Sequence, residues 1–269
     1  MRRSAPILAI LVFTLLLAVC APNAAALVLD WSTVAWTPGD LSNSFDVDAD
    51  AANDITVTIS GDVDKFRQDP ATGLQTPAIT NSLEGGLGPT NFSLQLGADL
   101  KTNDQIIVAV DFSAQYALGV ENVSFTIFDI ERPVDTERIL NIYAIALDGT
   151  THLAGTVSNL GAVVAVAGSG LTQVIYGTGA SPDTGANSGY GNATISFGSQ
   201  AILGFAFTFE NDSGPPRFQS ISIGDITFSP VPEINPTAAA AAVCLFGILA
   251  MKTSRRELRR LLLRRPRSK

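Results

Sequence analysis

The densest chemistry in the chain is the run Asp46-Val47-Asp48-Ala49-Asp50-Ala51-Ala52-Asn53-Asp54. On an extended segment its alternating acids would put Asp46, Asp48 and Asp50 on one side. Carboxylate oxygens at that density, with Asp54 close behind, are the hard ligands that Ca²⁺ takes. The EF-hand pattern is not met, because no glycine follows Asp50 and no glutamate stands at the twelfth position. Asp129, Glu131 and Asp135 form a second acidic group that could serve the same ion. The competing reading of either group is a solvated acidic edge, which also discourages edge-to-edge strand pairing. Structural calcium is therefore the one cofactor these residues suggest, and the sequence requires none.

Catalytic chemistry is harder to find. His152 is the only histidine, just after an Asp148-Gly149 turn and on an expected strand. A hydrolytic triad would need a nucleophile beside it, and none is identifiable. Neither G-x-S-x-G nor H-E-x-x-H occurs. His152 thus reads as a surface strand residue. Asp129, Glu131 and Glu210 could supply the paired carboxylates of a glycosidase, but nothing separates them from the other acids. The chain is read as a non-enzyme. Sugar stacking needs exposed aromatic rings, and Trp31 and Trp36 are the only tryptophans. Five apart on one strand they would face opposite sides, so at most one could join a platform. Both read as core residues. Two cysteines cannot build a zinc finger, and they exclude a disulfide-dense scaffold.

The elements that must position these groups are strands. The 269 residues divide into three zones of different charge. Residues 27–230 hold six basic residues against 23 acidic ones, a net −17 that repels nucleic acid. An acidic glycan would be repelled too, unless Ca²⁺ bridged it. Short apolar runs bounded by turn residues recur through this zone, with almost no helical period. Asp54–Ser60 alternates strictly, with Ile55, Val57 and Ile59 on one face. Further strands are expected at 27–31, 105–112, 123–130, 139–147, 162–166, 172–176, 193–197, 203–209 and 218–228. Residues 61–104 are poorer in strands, and 177–192 read as a second loop. The count of about ten to twelve strands predicts an all-β fold, one β-sandwich or jelly roll.

The two ends carry an address. Residues 1–26 contain Arg2, Arg3 and no acid, then a 13-residue apolar stretch from Ile7 to Val19. Ala24 and Ala26 supply the small-x-small site of signal peptidase, so 1–26 read as a signal peptide. Residues 231–269 begin Val231-Pro232-Glu233-Ile234-Asn235-Pro236 and continue into Ala238–Met251, 14 uninterrupted apolar residues. Counted from Ile234 the stretch makes a helix of roughly 27 Å, just enough to cross a thin hydrocarbon core. Residues 252–269 follow with nine basic residues and stay on the cytoplasmic side.

This order of signal, folded domain, Val231-Pro232-Glu233, span at about 234–251 and arginine-rich end resembles the PEP-CTERM sorting tail. Ile234 stands where the family motif has its second proline. The resemblance implies an exported bacterial envelope protein, held by one helix in the inner membrane with its domain in the periplasm. It also implies processing by exosortase and release to the cell surface or exopolysaccharide matrix. The leading expectation for 27–230 is then a structural or adhesive role in the envelope or biofilm matrix. A carbohydrate-binding β-sandwich module is the alternative, and a glycoside-acting enzyme comes third.

Overall fold

Burial with a period of two shapes the strands over 55–61, 105–112 and 193–198, whereas those over 93–100 and 202–211 are buried on both faces. In the segment Ile55–Gly61 the side chains of Ile55, Val57 and Ile59 are buried, while Thr56 and Thr58 are half-buried on the other face. The computed structural model describes residues 25–82, 85–86, 91–132, 136–179, 189–212 and 215–232. Its strands are β1 (Leu27–Leu29), β2 (Ser42–Phe45), β3 (Ile55–Gly61), β4 (Ala78–Thr80), β5 (Ser93–Leu100), β6 (Gln105–Phe112), β7 (Val120–Phe128) and β8 (Glu137–Ala146). After these come β9 (His152–Ala154), β10 (Thr156–Ser158), β11 (Val164–Ala167), β12 (Val174–Gly177), β13 (Ala193–Gly198), β14 (Ile202–Asn211), β15 (Arg217–Ile223) and β16 (Ile226–Pro230).

All of these strands pair antiparallel in one curled sheet, the all-β form expected of a sandwich. One layer runs β2-β3-β6-β14-β8, with β9 and the pair β12-β11 on the far side of β8. The other is centred on β7, with β13 and β10 on one side and β16-β1 and β15-β5-β4 on the other. A single residue pair, Ile202 with Val120, joins β14 to β7 where the sheet turns over. Aromatic rings fill the space between the layers. Phe205 of β14 stacks on Phe125 of β7 at 4.6 Å and 14°, and Phe207 lies 5.8 Å from the same ring. Such pairs add about 0.5–1.5 kcal/mol each beyond the area they bury.

Several expectations are corrected. Residues 61–104 are poorer in strands, as expected, yet they hold β4 and also β5, which is almost wholly buried. Its apolar run is interrupted by Ser93 and Gln95, which are buried in spite of their polarity. Gln95 is satisfied there, because its Oε1 accepts from the hydroxyls of Thr80 and Ser82 at 3.1 and 3.3 Å. The expected strand 218–228 is two strands, broken at Gly224-Asp225. Trp31 and Trp36 are not on a strand, since the chain turns at 31–34. Both rings therefore enter the same core cluster with Phe45, with ring centres 5.8–6.4 Å apart. The Trp31 indole N–H donates to the Gly224 carbonyl at 3.0 Å. Among the described residues no helix is long and apolar enough to cross a membrane. The expected signal stretch through Ala24 and the expected span at 234–251 lie outside the described residues.

Candidate functional site

The outer face of the β2-β3-β6-β14-β8 layer carries a groove, and the residues that face it follow from the register. Residues paired across antiparallel strands project to the same side. Phe205, Phe207 and Phe209 face the core with Val110, Val108 and Ile106. Ala206 and Thr208 must then lie on the outer face with Ala109 and Ile107, and longer neighbours there leave both of them buried. On β8 a strict alternation from the buried Ile139 would bury Asn141 and Tyr143 as well. Asn141 instead adopts φ 52, and the register slips between Ala206 and Thr208. One extra residue on β8 makes a β-bulge, which reverses the facing of everything beyond it. Ile142 and Ala144 go into the core, and Tyr143 turns out beside Ala206.

The re-aimed Tyr143 helps to line a groove of about 390 Å³. His152, on the neighbouring strand β9, stacks on it with ring centres 3.9 Å apart and planes at 15°. Asn141 donates its amide N–H to the Thr208 hydroxyl across the bulge at 3.3 Å. Ala206 and Phe207 contribute to the lining, and Ile107 and Leu171, both partly exposed, complete it. A second depression of about 260 Å³ lies near the other end of β8, with Tyr176, Arg138 and Asp212 in its wall. There Arg138 is ion-paired with Asp212, and with Glu210 at 3.4 Å. The site thus offers a stacked ring pair, an exposed amide bonded to a buried hydroxyl, and apolar flanks. Among the described residues, none that lines the groove is a carboxylate.

The acidic run of the sequence is also brought together, by a different route from the extended one expected. Carboxylate oxygens of Asp46, Asp48 and Asp50 lie within 4.8 Å of one another, on exposed side chains. The segment coils, with Ala49 and Ala51 in the left-handed region at φ 63 and 73. Asp46 accepts the N–H of Ala49 and of Ala51 at 2.7 and 2.9 Å. Asp48 accepts from the Asp50 N–H at 3.1 Å, and Asp50 from the Ala52 N–H at 2.8 Å. Loss of hydration, together with the negative charges of Asp54, Asp50 and Asp46, raises the Asp48 carboxyl above its ordinary value. Asp54 does not join this group as a fourth ligand. It is buried, accepts the Val47 N–H at 2.7 Å, and is bonded by Gln115 and the Tyr116 hydroxyl. Burial first, and the bond to Asp54 second, push the Tyr116 hydroxyl well above the usual phenol range.

The other expected residues are dispersed. His152 lies on an exposed strand, and the groove gives it a ring partner. Glu210 pairs with Arg138 in the outer-face register, whereas the next pair, Asn211 with Glu137, turns inward. Glu137 is buried, and it accepts the N–H of Glu131 at 2.9 Å and of Ser220 at 3.3 Å. Burial raises its carboxyl well above the ordinary value, and the charges of Asp129 and Glu131 add to this. Glu210 is therefore not brought to face Asp129 and Glu131 as an acid–nucleophile pair. Asp135, Ala24 and Glu233 lie outside the described residues, while Ala26 is exposed. Val231 donates its N–H to the Gly119 carbonyl at 3.0 Å, and Pro232 follows directly.

Fold and site together define an all-β protein with an open, ring-lined groove on one sheet face. No family model and no curated protein matches the chain. Among solved structures it is similar to the family 11 carbohydrate-binding module of the cellulosomal cellulase Lic26A-Cel5E of Clostridium thermocellum. That match has 10% identity and a TM-score of 0.33, over 80% of this chain and 99% of the other. A structure of the family 11 module in complex with a β-1,3-1,4-mixed-linked tetrasaccharide is similar at 10% identity and a TM-score of 0.33, over 79% and 99%. TmCBM27, a carbohydrate-binding module described by its specific mannan recognition, is similar at 11% identity and a TM-score of 0.35, over 77% and 99%.

Proposed function

We propose that this chain is an exported envelope protein that binds polysaccharide through the outer face of the β8-β14-β6 layer. The observation that carries this reading is the stacked Tyr143–His152 pair beside Asn141 and Thr208 in the groove. Sugar rings present C–H faces that lie on aromatic rings, and equatorial hydroxyls that exchange hydrogen bonds with amides and hydroxyls. Binding rather than hydrolysis is the chemistry offered. Glycoside cleavage uses two facing carboxyl groups, and the groove lining contributes neither. Full-length protein in detergent is expected to be retarded in gels containing at least one neutral polysaccharide. Tyr143→Ala is expected to weaken that retardation at least tenfold with an unchanged melting temperature. Equal retardation of the two proteins would take the binding site away from the groove.

The sorting tail gives this binding its setting. Signal peptidase cleaves after Ala26, one helix at about 234–251 holds the domain outside the inner membrane, and exosortase acts at Val231-Pro232-Glu233. The support is the order of features along the chain. Adhesion to exopolysaccharide is then the role of the domain in the matrix. A tagged protein is expected to be shorter and more widely released in cells with exosortase than in cells without it. The same size and location in both would sink the processing step.

A further inference from the structure

We infer that the groove is one end of a longer lane, and that its ligand is a linear, uncharged polysaccharide lying across the strands. This rests on the reading that the groove binds sugar. The register sets the lane out residue by residue. Ser42 pairs with Thr58, Thr58 with Ala109, Ala109 with Ala206, and Ala206 with Tyr143. These five residues sit on β2, β3, β6, β14 and β8 and project from the same face. Four inter-strand steps of about 4.8 Å make roughly 19 Å, the length of a short oligosaccharide.

The chemistry changes along that row in a way that suits one chain threading it. At one end the Tyr143–His152 pair gives a ring to stack on. Ala206, buried, and Ala109, half-buried, come next and carry only methyl groups, so the floor beneath a second sugar is low. Ile107, partly exposed on the adjoining row, flanks that floor on one side. At the far end stand hydroxyls. Ser42 and Thr58 share one hydrogen bond at 3.2 Å, and on the adjoining row Ser44 and Thr56 share one at 2.8 Å. Two hydroxyls that share a single bond still hold one O–H to donate and lone pairs to accept. That is the complement of a sugar's own hydroxyls and needs no ion. Charge decides between polymer classes. No basic residue lies on the row, Asp111 flanks it, and the zone 27–230 carries net −17. A uronate polymer meets repulsion there, and a neutral one does not.

Titration of the full-length protein in detergent with neutral gluco- and manno-oligosaccharides, from disaccharide to hexasaccharide, tests the lane. In the wild type, affinity for one of the two series is expected to climb at least tenfold with length and to level off near the tetrasaccharide. Ala109→Phe raises the floor, so it is expected to abolish that climb while the disaccharide still binds. Thr58→Ala, a milder change at the far end, is expected to weaken only the longer ligands. Affinity independent of length, or a climb unaltered in both variants, overturns the lane and leaves the groove standing. An oligogalacturonate bound as tightly as the neutral series overturns the uncharged class. Binding of no sugar at all overturns the groove reading and the lane with it.

Discussion

Replacing Phe205 by alanine is expected to remove about 4 kcal/mol of stability, the middle of the range for truncating a buried aromatic ring. The reason is its place between the layers. Phe205 belongs to β14, yet it touches rings from three other strands. It stacks on Phe125 of β7 at 4.6 Å, lies 5.7 Å from Phe197 of β13, and lies 6.4 Å from Phe112 of β6. Alanine would lose all three contacts and leave a cavity that rigid strands cannot close. Phe205→Leu keeps most of the volume and is expected to cost about 1.5 kcal/mol or less. Urea unfolding of the full-length protein would measure both. A loss below about 1 kcal/mol for alanine would show that the two layers are not held together through this ring.

Gly61→Ala is the second large effect, at about 3 kcal/mol, and it acts through the backbone. Gly61 ends β3 at φ +92, a conformation that L side chains rarely adopt. A β-carbon built there would lie 2.2 Å from the Gln105 carbonyl oxygen, which is main chain and cannot swing aside. That carbonyl also accepts the Asp62 N–H at 2.8 Å, and the Asp62 carboxylate accepts the Gln105 N–H at 2.8 Å. Relieving the clash would break this reciprocal pair at the β3–β6 edge. The urea midpoint should fall with no change in slope. A midpoint equal to the wild type would mean that the edge opens at little cost.

Much of the fold was legible because burial alternates. Ile55–Gly61 was expected within a residue of its ends because it presents one apolar face, and Gln105–Phe112 because its apolar run is nearly continuous. β5 was hidden because Ser93 and Gln95 are polar yet buried, and only the distant Thr80 and Ser82 satisfy Gln95. The convergence of Asp46, Asp48 and Asp50 could be read from their density. The removal of Asp54 could not, because Gln115 and Tyr116 lie some sixty residues away. The groove was the least legible part. His152 was placed on a surface strand, but nothing local marked Tyr143 as its partner. Counting by twos from Ile139 buries Tyr143, and that count fails at Asn141.

The bulge at Asn141 makes the binding face a matter of parity. Up to Asn141, β8 keeps one phase with β14, and beyond it the opposite phase. One residue of surplus chain is enough to exchange which half of the strand is oil and which half is surface. Tyr143 comes out without any change in its own identity or its neighbours in sequence. A chain can therefore gain or lose such a face by a single-codon insertion or deletion, leaving its composition almost untouched. Deleting Asn141 would bring the two phases into step, drive Tyr143 toward the core, and push Ile142 out in its stead.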